Sequence, residues 1–219
     1  MILSDQDILG AVRCGDIGIT PFDERLVKRN SYLLRLAGPF RRIAGDETLD
    51  TADPESFARC EGVLETGDSV VLTPDALVLA GTRERVSLGP SLVGLLSGIS
   101  NVARLGVQVH ATSQLVNAGF AHGAPSRLVF ELSTVGGRRV RLYAGTPVCH
   151  LVFARLSAPA AARHPSGRTG QLGTAPSRLL DQFGHFYAGG GGGAVAARTP
   201  LTEPSYVQDT RRGQGPVGG

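Results

Sequence analysis

Residues 126–133, SRLVFELS, carry the pattern that decides the fold. Apolar residues stand at every second position, at Leu128, Phe130 and Leu132, and a period of two is that of a β-strand with one buried face. Glu131 falls between two of them, so a strand would turn its carboxylate to the opposite face. The segment therefore predicts a strand with a charged group on its second face.

Similar short segments recur along the chain, each rich in Val and Leu and bounded by Gly, Pro or Asp. They read SYLLRL, SVVLTP, ALVLAG, LVGLLSG, VQVHAT, RVRLYAG and PVCHLVFARL. Many short strands separated by turns predict an all-β sandwich or barrel-like roll. No alternation of strand and helix is visible, so isolated GxG spacings do not indicate a dinucleotide site.

The first segment of the chain has the signals of a helix. Ser4 is a suitable N-cap, Asp5 and Asp7 lie in the first turn, and Gly15 is placed to end the helix. The segment that follows includes ITPFDERLVKRN, which contains a proline and is expected to be a loop.

Composition limits the class of protein. A chain of 219 residues suits one domain with appended segments. No apolar run approaches about 20 residues, so we expect no membrane span and no membrane partner. The net charge is +3 and no basic block exceeds two residues, so nucleic acid is not an expected partner. No secretory signal is recognisable, and we expect a cytoplasmic protein.

The cysteines are Cys14, Cys60 and Cys149, which are odd in number and far apart. This pattern fits reduced thiols used for packing better than a disulfide framework. The sequence has no CxxC pair, so a structural zinc is not expected.

After residue 157 the short apolar segments give way to sequence rich in Ala, Pro, Ser and Gly. We predict a β domain over residues 1–157, a C-terminal segment over 158–187 and a Gly-rich disordered tail over 188–219. The glycine run 189–193 would lose much backbone entropy on ordering and has no side chains to bury.

The stretch LLSGISNVARLG, residues 95–106, places Ser100, Asn101 and Arg104 after a strand and a glycine. If the chain turns into a short helix there, free N–H groups, a hydroxyl, an amide and a guanidinium would converge on one anion, such as a phosphate. The alternative is a capped turn with Arg104 in a surface ion pair.

Two further positions are candidates for chemistry. A carboxylate such as Glu131 in an apolar strand faces solvent, pairs with an arginine, or does acid–base work with a raised pKa. In HATSQLVNAGF, residues 110–120, two strand-like pieces and a bend at Gly119 would aim Asn117 outward from a hairpin. An Asn at such a place is usually a turn former.

Several motifs resemble the dCTP deaminase family of the trimeric dUTPase superfamily, in the same order along the chain. The resemblance runs from residue 1 to about residue 178 and rests on MILSDQDILGAVRCGDIGITPFDERLVKRNSYLLRL, GLLSGISNVARLGVQVHATSQLVNAGF, LVFELS, GTPVCHLVFARL and GQLGTAPSR.

The resemblance implies a distorted β jelly roll of the trimeric dUTPase type, with the short N-terminal helix and a flexible C-terminal tail. It implies a homotrimer with active sites at subunit interfaces, and a pyrimidine nucleotide substrate with Mg²⁺ on its phosphates. The family deaminates cytosine without zinc, and this chain lacks the signature of the zinc deaminases. Residues 158–187 would be the lid over the site.

Carried over residue by residue, the resemblance makes Glu131 the catalytic glutamate, which takes a proton from water and passes it to the base and the leaving amine. Ser100 matches the serine that helps to hold the water. Arg104 matches the arginine near the phosphates.

The remaining matches concern substrate binding. Asn101 stands where the family usually has a second serine, and Gln171 matches a glutamine of the lid. The backbone around Val129 and Phe130 matches the strand that reads the base edge. Asn117 stands where members that cleave dUTP have an aspartate that activates water and holds the sugar 3′-hydroxyl. An amide can bind a hydroxyl but cannot take a proton from water.

Other departures concern the pocket. Ile99 replaces a basic residue of the RSS or KSS motif, and Leu33 replaces an acidic residue of SYDLRL. Gly167 and Arg168 stand where the lid often has Lys and Tyr, and the segment 118–130 is longer than the family pattern. These changes indicate an altered pocket, which would suit a different phosphate count or a modified base or sugar.

The sequence therefore predicts zinc-free hydrolytic deamination of a cytosine nucleotide, either dCTP or a related or modified nucleotide, to the uracil nucleotide and ammonia. Two alternatives stay open. One is a non-catalytic nucleotide-binding or regulatory trimer, and the other is a dUTPase-like pyrophosphohydrolase.

Overall fold

The computed structural model describes residues 1–45, 48, 62–110 and 114–161. The helices are α1 (Asp5–Cys14) and α2 (Ser100–Ala103), and a short 3₁₀ helix covers Glu24–Leu26. The strands are β1 (Ile17–Thr20), β2 (Val27–Lys28), β3 (Ser31–Ala44), β4 (Val63–Glu65), β5 (Ser69–Leu72), β6 (Ala76–Leu88), β7 (Leu92–Gly98), β8 (Val107–His110), β9 (Leu115–Val116), β10 (Ser126–Thr134), β11 (Val140–Tyr143) and β12 (Pro147–Arg155).

The predicted all-β class with a short N-terminal helix is confirmed, and each segment predicted as a strand contains one. The segment predicted as a proline-containing loop instead holds the end of β1, the 3₁₀ helix and β2. The lid segment beyond residue 161 and the tail 188–219 lie outside the described residues, so the division of the chain at residues 157 and 187 stays a prediction.

Helix α1 begins and ends where its sequence signals place it. The Ser4 hydroxyl accepts a hydrogen bond from the Asp7 N–H, and the Asp7 carboxylate accepts one from the Ser4 N–H at 3.0 Å. The Ser4 hydroxyl also donates to the Asp7 carboxylate at 2.8 Å. This bond, and after it the bond from the Ser4 N–H, lowers the pKa of Asp7 because both favour the charged carboxylate. Gly15 ends the helix with a φ of 85°, a left-handed conformation that glycine adopts without strain.

The main sheet is antiparallel and follows the order β8-β10-β6-β3-β12-β7-β9, while β11 and β5 form a separate pair. Strand β3 joins its two halves. Residues 32–35 pair with β12, and the part from Leu36 onward pairs with β6 across a bulge between Ala37 and Phe40. The sheet encloses a core whose largest fully buried side chains include Tyr32, Phe40, Phe130 and Phe153. Among the described helices, none has the length and apolar character that a bilayer crossing requires.

Strand β10 shows the predicted alternation. Leu128, Phe130 and Leu132 are buried in the core, whereas Val129 and Glu131 are half-buried on the other face. The register is fixed on both sides, because Glu131 pairs with His110 of β8 and with Leu79 of β6.

A buried carboxylate lies where β6 and β3 separate. Glu84 is fully buried and accepts hydrogen bonds from the Arg35 N–H at 2.9 Å and from Arg35 Nε at 2.6 Å. The Arg35 amide would otherwise lose its strand partner at this point. Removing one member of such a buried pair typically costs 3–5 kcal/mol, on the order of half a domain's stability.

The pairing of β6 with β10 is irregular, because the register shifts between Arg127 and Val129. At this point the Thr82 side chain replaces a backbone hydrogen-bond partner. Its hydroxyl donates to the Glu84 carbonyl at 2.6 Å and accepts from the Leu128 N–H at 3.0 Å. A buried N–H of β10 therefore depends on one side-chain oxygen.

The change Thr82→Val should destabilise the protein by about 1–3 kcal/mol, because it leaves the buried Leu128 N–H without an acceptor. Chemical denaturation followed by circular dichroism measures this loss. Thr134→Val is the matched control. The Thr134 hydroxyl is also buried, but it has no hydrogen-bond partner among the described residues. The control removes a buried hydroxyl that has no partner among the described residues, so it should cause no comparable loss of stability, and equal losses in both variants would contradict the role given to Thr82.

Candidate functional site

The stretch from Ile99 to Arg104 forms the predicted turn into a short helix. Ile99 is the N-cap in an extended conformation, and Arg104 is the C-cap with its N–H bonded to the Ser100 carbonyl at 3.0 Å. Val102 is buried and holds the turn on the core. Because isoleucine has no side-chain acceptor, the helix start has no side-chain cap. The N–H groups of Val102 and Ala103 bond the Ile99 carbonyl, which leaves those of Ser100 and Asn101 without a backbone acceptor among the described residues.

The polar side chains of this turn face outward. Ser100, Asn101 and Arg104 are all exposed. Arg104 forms no ion pair with any residue that the structure describes. The hydroxyl, amide and guanidinium thus lie on one exposed turn, which is the arrangement that an anion site requires.

Glu131 lies in the middle of β10, on the face away from the core. Its side chain is half-buried, and Val129 is its neighbour along the same face. A half-buried carboxylate in a strand that is paired on both sides has a fixed position.

The structure does not bring this carboxylate to the α2 turn within one chain. The turn leads into β8 at Val107, near the point where the Val135 N–H bonds the Gly106 carbonyl at 2.8 Å. Glu131 pairs with His110 at the other end of β8. Three residues of strand separate those ends by about 10 Å. A site in which Ser100 and Glu131 contact the same water molecule therefore needs a second chain.

Val129 and Phe130 precede the part of β10 that β8 covers. The pairing with β8 includes residues 131–134 only, among the described residues. Phe130 is fully buried and its side chain belongs to the core. Any contact of Phe130 with a ligand is therefore made by its backbone, whereas Val129 can offer backbone and side chain.

Asn117 lies in a turn, as predicted, but not on a hairpin. Its carbonyl accepts a hydrogen bond from the Phe120 N–H at 3.0 Å, and Gly119 has a φ of 74°. The hairpin prediction is wrong because β8 pairs with β10 while β9 pairs with β7, so the two strands lie at opposite ends of the sheet path. The Asn117 side chain is exposed, as the prediction required.

Arginines on the face of Glu131 did not enter the sequence prediction. Arg127 of β10 lies on that face, and its aliphatic part covers Gly81, where an added Cβ would be 3.7 Å from Arg127 Cδ. Arg83 and Arg85 alternate with the buried Glu84 on β6 and are exposed. The signal was present in the sequence as cations at alternating strand positions.

The remaining candidate groups are simpler. Gln171 lies outside the described residues. Within the described part of the chain, no cluster of three His, Cys, Asp or Glu side chains is arranged to hold a metal ion. Cys149 is buried, which raises the pKa of its thiol to about 12, whereas Cys14 is exposed at the end of α1.

Comparison with known proteins agrees with this architecture. The family model described as "dCTP deaminase-like" matches residues 2–156. The chain is 36% identical over 156 residues to the "dCTP deaminase, dUMP-forming" of Methanoculleus marisnigri, covering 71% of this chain and 81% of that protein. It is 33% identical over 192 residues to the protein of the same name from Mycolicibacterium vanbaalenii, covering 84% and 98%.

Among solved structures, the 2'-deoxycytidine 5'-triphosphate deaminase from Agrobacterium tumefaciens shares the fold. The TM-score is 0.52 at 17% identity, over 69% of this chain. The matched part is 47% of that longer chain.

The family match extends over nearly all of the described residues and includes α2, the turn after β9, and β10, where the candidate residues lie. The family match spans most of the chain, and the chain is more than 30% identical to relatives that it covers over most of their length. The chain therefore belongs to the dCTP deaminase-like family.

Proposed function

We propose that this protein hydrolytically deaminates dCTP, or a closely related cytosine nucleotide, to the uracil nucleotide and ammonia. The observation that carries the proposal is the placement of Glu131, a half-buried carboxylate on a strand of fixed register, on the face away from the core. Membership of the dCTP deaminase-like family supports the choice of the cytosine nucleotide as substrate.

In the proposed reaction, Glu131 takes a proton from water as the water oxygen bonds to C4 of cytosine. The carboxyl group then gives this proton to N3 of the ring, which yields a tetrahedral intermediate. A second transfer through the same group protonates the amino nitrogen. The C4–N bond breaks, ammonia leaves and C4 keeps the oxygen as a carbonyl. Water and the cytosine ring account for every atom of ammonia and uracil.

The exposed turn of Ser100, Asn101 and Arg104 would serve a neighbouring subunit. Ser100 would hold the attacking water, while Asn101 and Arg104 would bind phosphate oxygens. The separation of this turn from Glu131 within one chain supports an intersubunit site in a homotrimer.

Exposed apolar residues near the turn and on the adjoining sheet edge support such an assembly. Leu105 follows Arg104 directly and is 49% exposed, and Leu95 and Leu115 are a cross-strand pair at 40% and 47%. Large apolar side chains of this kind gain from burial in a subunit contact.

The substrate would enter as its Mg²⁺ complex. The ion would be carried by the phosphates, and its charge would neutralise theirs beside Arg104. Gln171 and the lid segment 158–187 would close over the phosphates. Val129 and the backbone of Phe130 would meet the edge of the base.

The proposal extends to the identity of the substrate, which would be a cytosine nucleotide with a modified base or sugar, or with a different number of phosphates. Ile99 packs against the core, so it supplies no cation where the family resemblance implies one. Leu33 is half-buried opposite His150 on β12, in the place of an expected acidic residue. Each change removes a charged side chain from a place where the family resemblance implies one, which supports an altered pocket.

The first test incubates the protein with a panel of cytosine nucleotides and separates the products. Release of ammonia and a uracil nucleotide supports the proposal. Pyrophosphate release from dUTP would favour the pyrophosphohydrolase alternative, and binding without turnover would favour the regulatory trimer. Sedimentation analysis of the same sample should give the mass of three chains.

The change Glu131→Gln should abolish deamination, because an amide cannot relay the proton. Ammonia release measures activity, and sedimentation checks that the trimer persists. Retained deamination in a trimeric Glu131→Gln variant would rule out the proposed role of this carboxylate.

Arg104→Ala should weaken nucleotide binding by about 1.5–3 kcal/mol, the typical worth of a charge-assisted hydrogen bond. Calorimetric titration measures the change. Arg138→Ala is the control, because Arg138 is an exposed arginine of the turn between β10 and β11. If Arg104→Ala binds the nucleotide as tightly as the unaltered protein does, Arg104 is a surface residue of the turn with no role in binding.

With Asn117 in place of an aspartate, the protein should deaminate the base without cleaving the phosphate chain. We expect the unaltered protein to produce the uracil triphosphate with little pyrophosphate, in contrast to the dUMP-forming relatives by name. Asn117→Asp should increase pyrophosphate release, because a carboxylate can accept the proton of water. Nucleotide chromatography and a pyrophosphate assay measure both products. Efficient pyrophosphate release by the unaltered protein would refute this role of Asn117.

A further inference from the structure

Two arginines stand directly opposite each other beside the proposed catalytic strand. Arg85 of β6 and Arg127 of β10 are register partners, and Thr20 of β1 pairs with Arg85 on its other side. Directly opposite residues have Cβ atoms about 4.5–5.5 Å apart, and like charges in such a pair destabilise the sheet. Arg83, two residues from Arg85 on the same strand, adds a third exposed cation.

No carboxylate among the described residues neutralises these charges. The ion pairs of the described chain involve Arg25, Arg35 and Arg42, and none involves the three arginines of this row. Glu84 lies between Arg83 and Arg85 in the sequence, but its carboxylate is occupied by Arg35. The cluster therefore keeps its full positive charge within the described chain.

The side chain of Arg127 is placed toward the proposed reaction site. It lies over Gly81, with Nη1 4.0 Å from the position of an added Cβ there. Gly81 pairs with Val129, two residue pairs before Leu79 and Glu131. The Arg127 Nε atom is buried and has no hydrogen-bond acceptor among the described residues. A buried donor of this kind requires an acceptor.

We propose that Arg85 and Arg127, assisted by Arg83, form a binding site for the phosphate oxygens of a nucleotide. Guanidinium groups bind phosphate through paired N–H donors, and an oxyanion between Arg85 and Arg127 would remove their repulsion and give Arg127 Nε its acceptor. The ligand is a polyphosphate, either the phosphate chain of the substrate or that of a second nucleotide bound beside it.

The position of the cluster on β10 fits the length of a nucleotide. Four residues separate Arg127 from Glu131, which is up to about 13 Å along the strand. This span is of the order of that from the amino group of cytosine to the outer phosphates of an extended nucleotide. The assignment to the substrate rests on the proposed function, whereas the assignment of a polyphosphate site does not.

The test measures binding of inorganic tripolyphosphate to the full chain by calorimetry, for the unaltered protein and for Arg85→Ala and Arg127→Ala. Each change should weaken binding by about tenfold or more, the factor expected for one charge-assisted contact. Arg138→Ala should bind as the unaltered protein does. Tripolyphosphate should also raise the melting temperature of the unaltered protein more than that of either variant.

Kinetics with dCTP distinguish the two sources of the phosphate. A raised KM in the variants assigns the cluster to the substrate, and unchanged kinetics with lost tripolyphosphate binding assigns it to a second nucleotide. Unchanged tripolyphosphate affinity in both variants, an equal loss in Arg138→Ala, or no binding to the unaltered protein would overturn the proposal. If the protein proves inactive on dCTP, the proposed function fails, but the tripolyphosphate titration still decides the site.

Discussion

The buried carboxylate of Glu84 fixes the point at which the sheet branches. Strand β6 pairs with β3 along one half and with β1 along the other, and the Arg35 amide lies where β3 departs. Glu84 takes the place of the missing strand partner and also holds the Arg35 side chain. On the other edge of β6, the Thr82 hydroxyl accepts a hydrogen bond from the Leu128 N–H, which has no backbone acceptor in the irregular pairing. The buried side chains of Glu84 and Thr82 thus allow β6 to pair with β1, β3 and β10.

Strand β6 also sets the register of β10, which carries Glu131. The register of β10 against β6 decides which side chains face away from the core, and a slip of one residue would exchange Glu131 for the apolar residues beside it. The rigid pairing on both sides of Glu131 then fixes the carboxylate in space. The polar turn at α2 is held equally firmly by Val102 and the core, but at the far end of β8. Under the proposed function, Glu131 and the α2 turn would each contribute to an active site shared between subunits.

Local patterns predicted much of this structure because local forces determine those parts. The alternation of β10 and the capping of α1 by Ser4 and Asp7 depend on residues within a few positions of each other, and both predictions are confirmed. The hairpin around Asn117 was wrong because the choice of partner for β8 and β9 is made by distant strands. The pairing of Glu84 with Arg35 joins residues 49 positions apart, and no local pattern distinguishes that buried carboxylate from the exposed arginines on either side. The match of single residues to the family gave candidate roles, but only the register shows that Arg127 of β10 lies opposite Arg85 of β6.

The contrast between two cysteines has a practical consequence for experiments on this molecule. With a thiol pKa of about 12, Cys149 is almost wholly protonated near neutral pH, and only the thiolate reacts readily with alkylating reagents. Cys14 is exposed beyond the last turn of α1. Of these two, Cys14 is the natural attachment point for a fluorophore or spin label, because modification there leaves the packing between β12 and its neighbours intact.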